Sequence, residues 1–273
     1  MGKGRPFLEI FTYALDEDYR FPILEIFAFL FALGTFVFVD LGAYIGAYSG
    51  QIKEALAYNL VSTLCGFPLL FIFVVLILKN VAYSLGGDLD KGVMQTLFSY
   101  PLKRRYILTA KLLSGLGVAL LLFLGIQIFG LFLLAPDVIL TYPSTVFLTY
   151  AAQVCSPALL FSGLVLIFTL RVKRAGLAFV IGFVLFLAGL IISGFVPSIA
   201  YRTGSHLPLQ IWAVIDPNSA LQTYYSNMGA VGLPPGTWVP SFSEILLYLG
   251  AGYLIVAVLF VVGYAYFDRR LEI

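Results

Sequence analysis

At 273 residues, 61% hydrophobic and 11% charged, with a mean hydropathy of +0.99, this chain is far more apolar than a soluble domain, which is about 45–50% apolar and about 25% charged. So few charges could not coat a soluble globule of this size, and the apolar runs are too long for strands, so the composition implies an all-α integral membrane protein. The net charge is only +2; its distribution along the chain is what informs.

The first element expected is short. In PFLEIFTYAL the residues Phe7, Leu8, Ile10, Phe11 and Leu15 recur at near-helical spacing, and Pro6 suits a first helical turn. The run is too short to span and ends in DEDYR, so residues 1–21 read as an amphipathic helix lying on the cytoplasmic leaflet. The first apolar run then starts near Phe21, is long enough to cross, and reads as a retained span rather than a cleaved signal. Six runs meet the length of about 20 mostly apolar residues that a span requires. They are Pro22–Ile45, Asn59–Leu78, Ile107–Leu134, Thr145–Leu170, Ala175–Val196 and Glu244–Phe267. Residues 22–273 thus form one six-span domain without internal repeats.

The connections are unequal. Residues 46–58 and 135–144 make short ones; residues 197–243 make a long one rich in Pro and carrying Trp212 and Trp238, suited to short interfacial helices. Lys and Arg set the orientation. With six spans, Lys3, Arg5, Arg20, Lys79, Lys91, Lys103, Arg104, Arg105, Lys111, Arg171, Lys173, Arg174, Arg269 and Arg270 fall on one side, and only Lys53 and Arg202 on the other. The positive-inside rule then places both termini in the cytoplasm of a multi-pass cell-membrane protein.

The most polar window, GDLDKGVMQTLFSYPLKRR at 87–105, lies on that cytoplasmic side. Leu89, Val93 and Leu97 repeat every four residues, with Met94 and Phe98 beside them, which predicts a short amphipathic helix over about 84–101. Ser84 or Asp88 would cap its start, Asp88 and Asp90 would favour the positive end of its dipole, and Pro101 would stop it.

The order of residues in this window resembles the pattern of ABC-2 type permeases, the membrane subunits of one class of ATP-binding-cassette transporter. Asp88 and Asp90 stand for the two acids, Gly92 for the glycine, Met94 for the leucine, and Leu97 continues the apolar stretch. Pro101, Leu102 and Arg104 match the Pro-apolar-x-Arg step; Ala110 and Lys111 stand where a Gly-Lys enters the next span. Asp for Glu, Val93 for Thr and Ala110 for Gly are departures. The resemblance implies the ABC-2 (type V exporter-like) architecture and a permease subunit that exports an unidentified cargo. It implies a coupling helix, formed by Asp88, Asp90, Gly92, Met94, Leu97, Pro101 and Arg104, that receives motion from two separate ATPase subunits. It also implies a second permease copy or relative. ATP and Mg would be bound by those partners: this chain has no G-x-x-x-x-G-K-[ST] loop, so the chain itself is not expected to be an enzyme.

Other candidates come with plainer alternatives. Glu25 at the start of the first span either reaches headgroups or is an intramembrane functional acid; Asp40, about 22 Å further along a helix, is either an intramembrane functional acid or an acid at the outer interface. Gln127 reads as an interhelical hydrogen bond rather than a cargo ligand. Gly42, Gly46 and Gly50 form a small-residue ridge that would seat either a neighbouring span or a second permease. Cys65 and Cys155 read as packing residues. A lone His206 near Ser205 and Asp216 makes neither a triad nor a metal site, and nothing indicates nucleic acid as a partner. Two other readings stand beside the permease. One is an ATP-independent secondary transporter or channel, for which Pro68 and Pro157 are candidate helix breaks; the other is a membrane assembly factor for an exported metalloenzyme.

Overall fold

A computed structural model describes residues 5–48, 53–99, 102–228 and 237–269. All regular structure among them is helical. The helices are α1 (Arg5–Asp18), α2 (Ile23–Tyr48), α3 (Lys53–Leu64), α4 (Leu69–Asp90), α5 (Val93–Ser99), α6 (Arg104–Leu112), α7 (Ala119–Leu134), α8 (Pro136–Thr141), α9 (Pro143–Val154), α10 (Phe161–Val172), α11 (Ala175–Thr203), α12 (Leu207–Ile215), α13 (Pro217–Asn227) and α14 (Phe242–Arg269). Two π-helical turns, Leu113–Val118 and Cys155–Leu160, join α6 to α7 and α9 to α10 into continuous helices.

Among the described residues six helices are long and apolar enough to cross a membrane: Ile23–Gly42, Leu69–Asp90, Arg104–Leu134, Pro143–Val172, Ala175–Thr203 and Phe242–Arg269. Their outward faces carry large apolar side chains such as Phe29, Phe36, Leu121, Phe129, Val184, Ile191, Leu254 and Val261. In water such a surface would aggregate; in a bilayer it is the solvated face. The chain is therefore a membrane-embedded helical protein.

The core lies along α4, the most enclosed span. Phe73 of α4 stacks on Phe123 of α7 with centroids 4.0 Å apart, and Phe31 of α2 meets both rings edge-on. Glycines admit the closest approaches. A Cβ on Gly86 of α4 would lie 2.7 Å from the Ala175 backbone of α11. One on Gly42 would collide with Leu60 of α3, so at Gly42 the small-residue ridge serves packing within the chain. Gly46 falls in α2, but its surroundings, and Gly50 altogether, lie outside the described residues.

Three expectations need correction. The second apolar run is not one helix over 59–78: it breaks at Cys65–Pro68, and the helix of spanning length is Leu69–Asp90. Pro68 has no N–H to donate to the carbonyl of Leu64, so a helical hydrogen bond is lost at the position where the helix breaks. The short helix expected over about 84–101 does not begin at Ser84, because α4 continues to Asp90 and only Val93–Ser99 forms the separate helix. Asp88 and Asp90 thus close α4 instead of opening α5. The fifth span runs on through Pro197 to Thr203, and the rest of the long connection holds α12 and α13. These two pack against α14 and α9 in a second apolar cluster with Ala213, Leu221, Tyr225, Trp238 and Tyr248. The amino-terminal amphipathic helix is present as α1; Ile10 and Ala14 are buried against α6 and the first π turn, while Leu8 and Tyr13 face outward.

Candidate functional site

The site is a knot of buried charge where α1, α4 and α6 meet, directly beside α5. α4 ends in GGDLD, so Asp88 sits in the last turn of a helix, where the dipole is unfavourable to an acid. Its compensation comes from Lys111, seven residues into the third span. Lys111 Nζ lies 2.6 Å from Asp88 Oδ2, and the two side chains are 0% and 2% exposed. The ammonium also donates to the Ser84 carbonyl at 2.8 Å and reaches Glu17 Oε2 of α1 at 3.3 Å, with the Tyr13 ring 5.6 Å away. A buried ammonium is tolerable only when paired and hydrogen-bonded; Lys111 meets both conditions, using groups from α1 and α4.

One turn deeper lies a second set of contacts. Asp18, the last residue of α1, is buried; Ser114 Oγ donates to its Oδ2 at 2.7 Å, and Lys79 Nζ donates to its main-chain carbonyl at 3.0 Å. Burial pushes the Asp18 carboxyl up to about 7, against the opposing pull of the Ser114 hydroxyl, Lys111 and Lys79. The π turn lets the Gly115 carbonyl accept bonds from outside its own helix, from Asn80 Nδ2 at 3.2 Å and Tyr19 OH at 3.3 Å. Glycine eases the packing there: a Cβ would lie 3.2 Å from Asn80 Cβ and 3.4 Å from Asp18 Oδ2. π turns of this kind are frequent at functional sites.

α5 hangs from this knot. The chain leaves α4 through Gly92, whose φ of +72° is a left-handed conformation that favours glycine. Met94 and Leu97 are buried; Phe98 meets Phe267 of α14 edge-on at 5.7 Å, and the Arg104 guanidinium lies 4.5 Å over the Phe98 ring. Asp90, Lys91, Gln95, Thr96 and Ser99 face outward. The apolar periodicity therefore describes α5 correctly even though its start is later than expected. Pro101 lies outside the described residues.

Of the residues singled out for function, Asp88, Met94 and Leu97 converge here on the inner side, and Asp90 and Gly92 form the turn outside them. Glu25 and Asp40 do not join: both are exposed, at opposite ends of α2. Gln127 is fully buried; it donates from Nε2 to the Leu64 carbonyl at 3.1 Å and takes the Cys65 thiol on Oε1 at 3.5 Å. It thus satisfies the carbonyl that Pro68 leaves without a donor, which is the interhelical role expected for it. Glu17, Asp18, Asn80 and Ser114 are the members that sequence reasoning did not single out, and Ser84 was considered only as a helix cap. The available signals were the DED run just before a span and the polar residues within otherwise apolar α4 and the first π turn. No protein-family model and no curated protein matches the chain.

Proposed function

We propose that the chain is the permease subunit of an ATP-driven transporter of the ABC-2 type, with α5 as its coupling helix. The observation that carries this reading is the buried Asp88–Lys111 pair. It ties the end of the second span to the start of the third on either side of α5, so the loop from 88 to 111 is anchored at both ends. Met94, Leu97 and Phe98 fasten α5 to the bundle while its polar face points outward. A force on that face would pass to the second, third and sixth spans with little slack. The basic residues at this end orient it towards the cytoplasm of a cell membrane, where two ATPase subunits would bind ATP and Mg. A second permease, identical or related, would complete the path. The few charges on the spans favour an apolar, amphipathic or lipid-linked cargo; export is what the resemblance to ABC-2 permeases implies.

The test is gentle solubilisation of the membrane followed by affinity purification. A soluble ATPase should copurify, and its hydrolysis should respond to this chain. Asp90→Lys, on the exposed turn, should abolish that response without lowering thermal stability. Absence of any associated ATPase, or full coupling in Asp90→Lys, would sink the proposal. A second reading, an ATP-independent transporter, draws on one observation: the chain departs from α geometry at Cys65–Pro68, just before the second span, and in the π turns of the third and fourth spans, Leu113–Val118 and Cys155–Leu160. Broken helices of that kind line the sites of secondary transporters. It predicts transport by the purified chain alone.

A further inference from the structure

A cleft of about 190 Å³ opens between the start of the second span and the π turn of the fourth. Leu70, just after the break that precedes the second span, and Pro157, in the π turn of the fourth, form part of its wall. Phe161, Phe186 and Trp212 add aromatic faces, Gln153 and Asn218 add amides, and Gly189, Leu190 and Ser193 of α11 complete the uncharged wall. One ionisable side chain lines it, Asp216, at the boundary between α12 and α13. Asp216 is half-buried, and among the described residues no Lys, Arg or His makes an ion pair with it.

Such a lining has one natural complement. A carboxylate among apolar side chains is costly unless a cation joins it, and aromatic faces attract cations once water is excluded. Burial pushes the Asp216 carboxyl up to about 6, while hydrogen bonds from the Asn218 backbone and the Trp212 side chain hold it down. At neutral pH it is mostly ionised. The amides of Gln153 and Asn218 carry no charge to offset it, and Tyr58 of α3 is a titratable neighbour that feels its field. We propose that this cleft is a binding site for a small amphipathic organic cation, an ammonium group set against Asp216 with its apolar body between Phe161, Phe186 and Trp212. The binding claim needs only this chain; that the cation is cargo rests on the transporter reading above.

The ammonium could belong to a free amine or to a lipid headgroup, and the experiment separates them. The probe is tritiated phenethyltrimethylammonium, bound to the purified chain in phosphatidylglycerol nanodiscs at pH 7.5, without any ATPase. Saturable binding is expected, and Asp216→Asn should weaken it at least tenfold. Asn serves as well as Asp at a helix N-terminal boundary, so the variant should unfold at the same temperature. Lowering the pH below about 6 should weaken binding in the wild type and leave Asp216→Asn unchanged. Phosphatidylethanolamine discs that compete with the probe would assign the site to a headgroup ammonium; discs that do not would assign it to a free amine, and the site stands either way. Equal affinity in Asp216→Asn, or equally tight binding of the neutral carbon isostere (3,3-dimethylbutyl)benzene, would overturn the proposal. Binding without a copurifying ATPase would keep the site and count against the ABC-2 reading alone.

Discussion

Lys111→Met is the sharpest test of the buried knot. Methionine keeps most of the side chain's length and apolar volume but removes the charge. It leaves the Asp88 carboxylate, only 2% exposed, without its cation 2.6 Å away, and strips the Ser84 carbonyl of a donor. Breaking one side of a buried pair costs about 3–5 kcal/mol, because the surviving charge stays desolvated. For a chain of this size each kcal/mol moves Tm by about 2–4 °C, so the midpoint should fall by about 6–20 °C. Asp88→Leu together with Lys111→Met removes both charges and should recover most of the loss, since replacing a whole buried pair by apolar groups is often neutral or stabilising. Glu17→Gln should cost about 1 kcal/mol or less, because Glu17 is 30% exposed and screened. The assay is thermal unfolding in detergent micelles, followed by circular dichroism, on these three variants and on Asp88→Leu alone. A Lys111→Met midpoint within about 3 °C of wild type, or a double variant as unstable as the sum of its singles, would refute the argument that this is a desolvated, mutually dependent pair.

Asp18 makes a prediction with pH. Its folded-state carboxyl is held near 7 against an unfolded value of 3.8, so the folded chain holds the proton more tightly. The stability it contributes is complete below about pH 4 and is lost as pH rises through about 7. Between pH 5 and 8, α1 should therefore loosen from Lys79, Lys111 and Ser114, seen as faster hydrogen exchange over residues 5–18 after correction for intrinsic rates; Asp18→Asn should flatten that dependence. Gln127→Leu removes the donor to the Leu64 carbonyl at the helix break and should cost about 1–3 kcal/mol; a variant within a few tenths of wild type in chemical unfolding would deny that bond its role. Adjacent glycines supply their own control. Gly86→Ala should destabilise, because the new methyl meets the Ala175 backbone, whereas Gly87→Ala meets nothing within 4 Å and should be neutral or stabilising by up to about 1 kcal/mol; equal midpoints for the two would contradict the close packing of α4 on α11.

The spans, their number and the amphipathic faces of α1 and α5 were legible because bilayer length and helical period act on each segment separately. What was not legible depends on two segments meeting. Asp88 read locally as the acid that opens a helix, and every local rule agreed, because an acid beside a short apolar repeat is a common helix start. Only the presence of Lys111, 23 positions later and on the neighbouring span, makes it affordable for α4 to run on and end in that acid. The same holds at Pro68: its missing N–H was visible in the sequence, whereas the group that satisfies the stranded Leu64 carbonyl, Gln127, lies 63 positions beyond Leu64 in the facing helix. In an apolar bundle nearly every exterior contact is with lipid and carries no sequence-specific information. The few polar residues inside it must find one another, and each unexplained one therefore points to an unseen partner. By that logic Asn80 pointed to the Gly115 carbonyl and Ser114 to Asp18 before either partner could be placed, and Asp216, with which no basic residue among those described makes an ion pair, points to the cation proposed above.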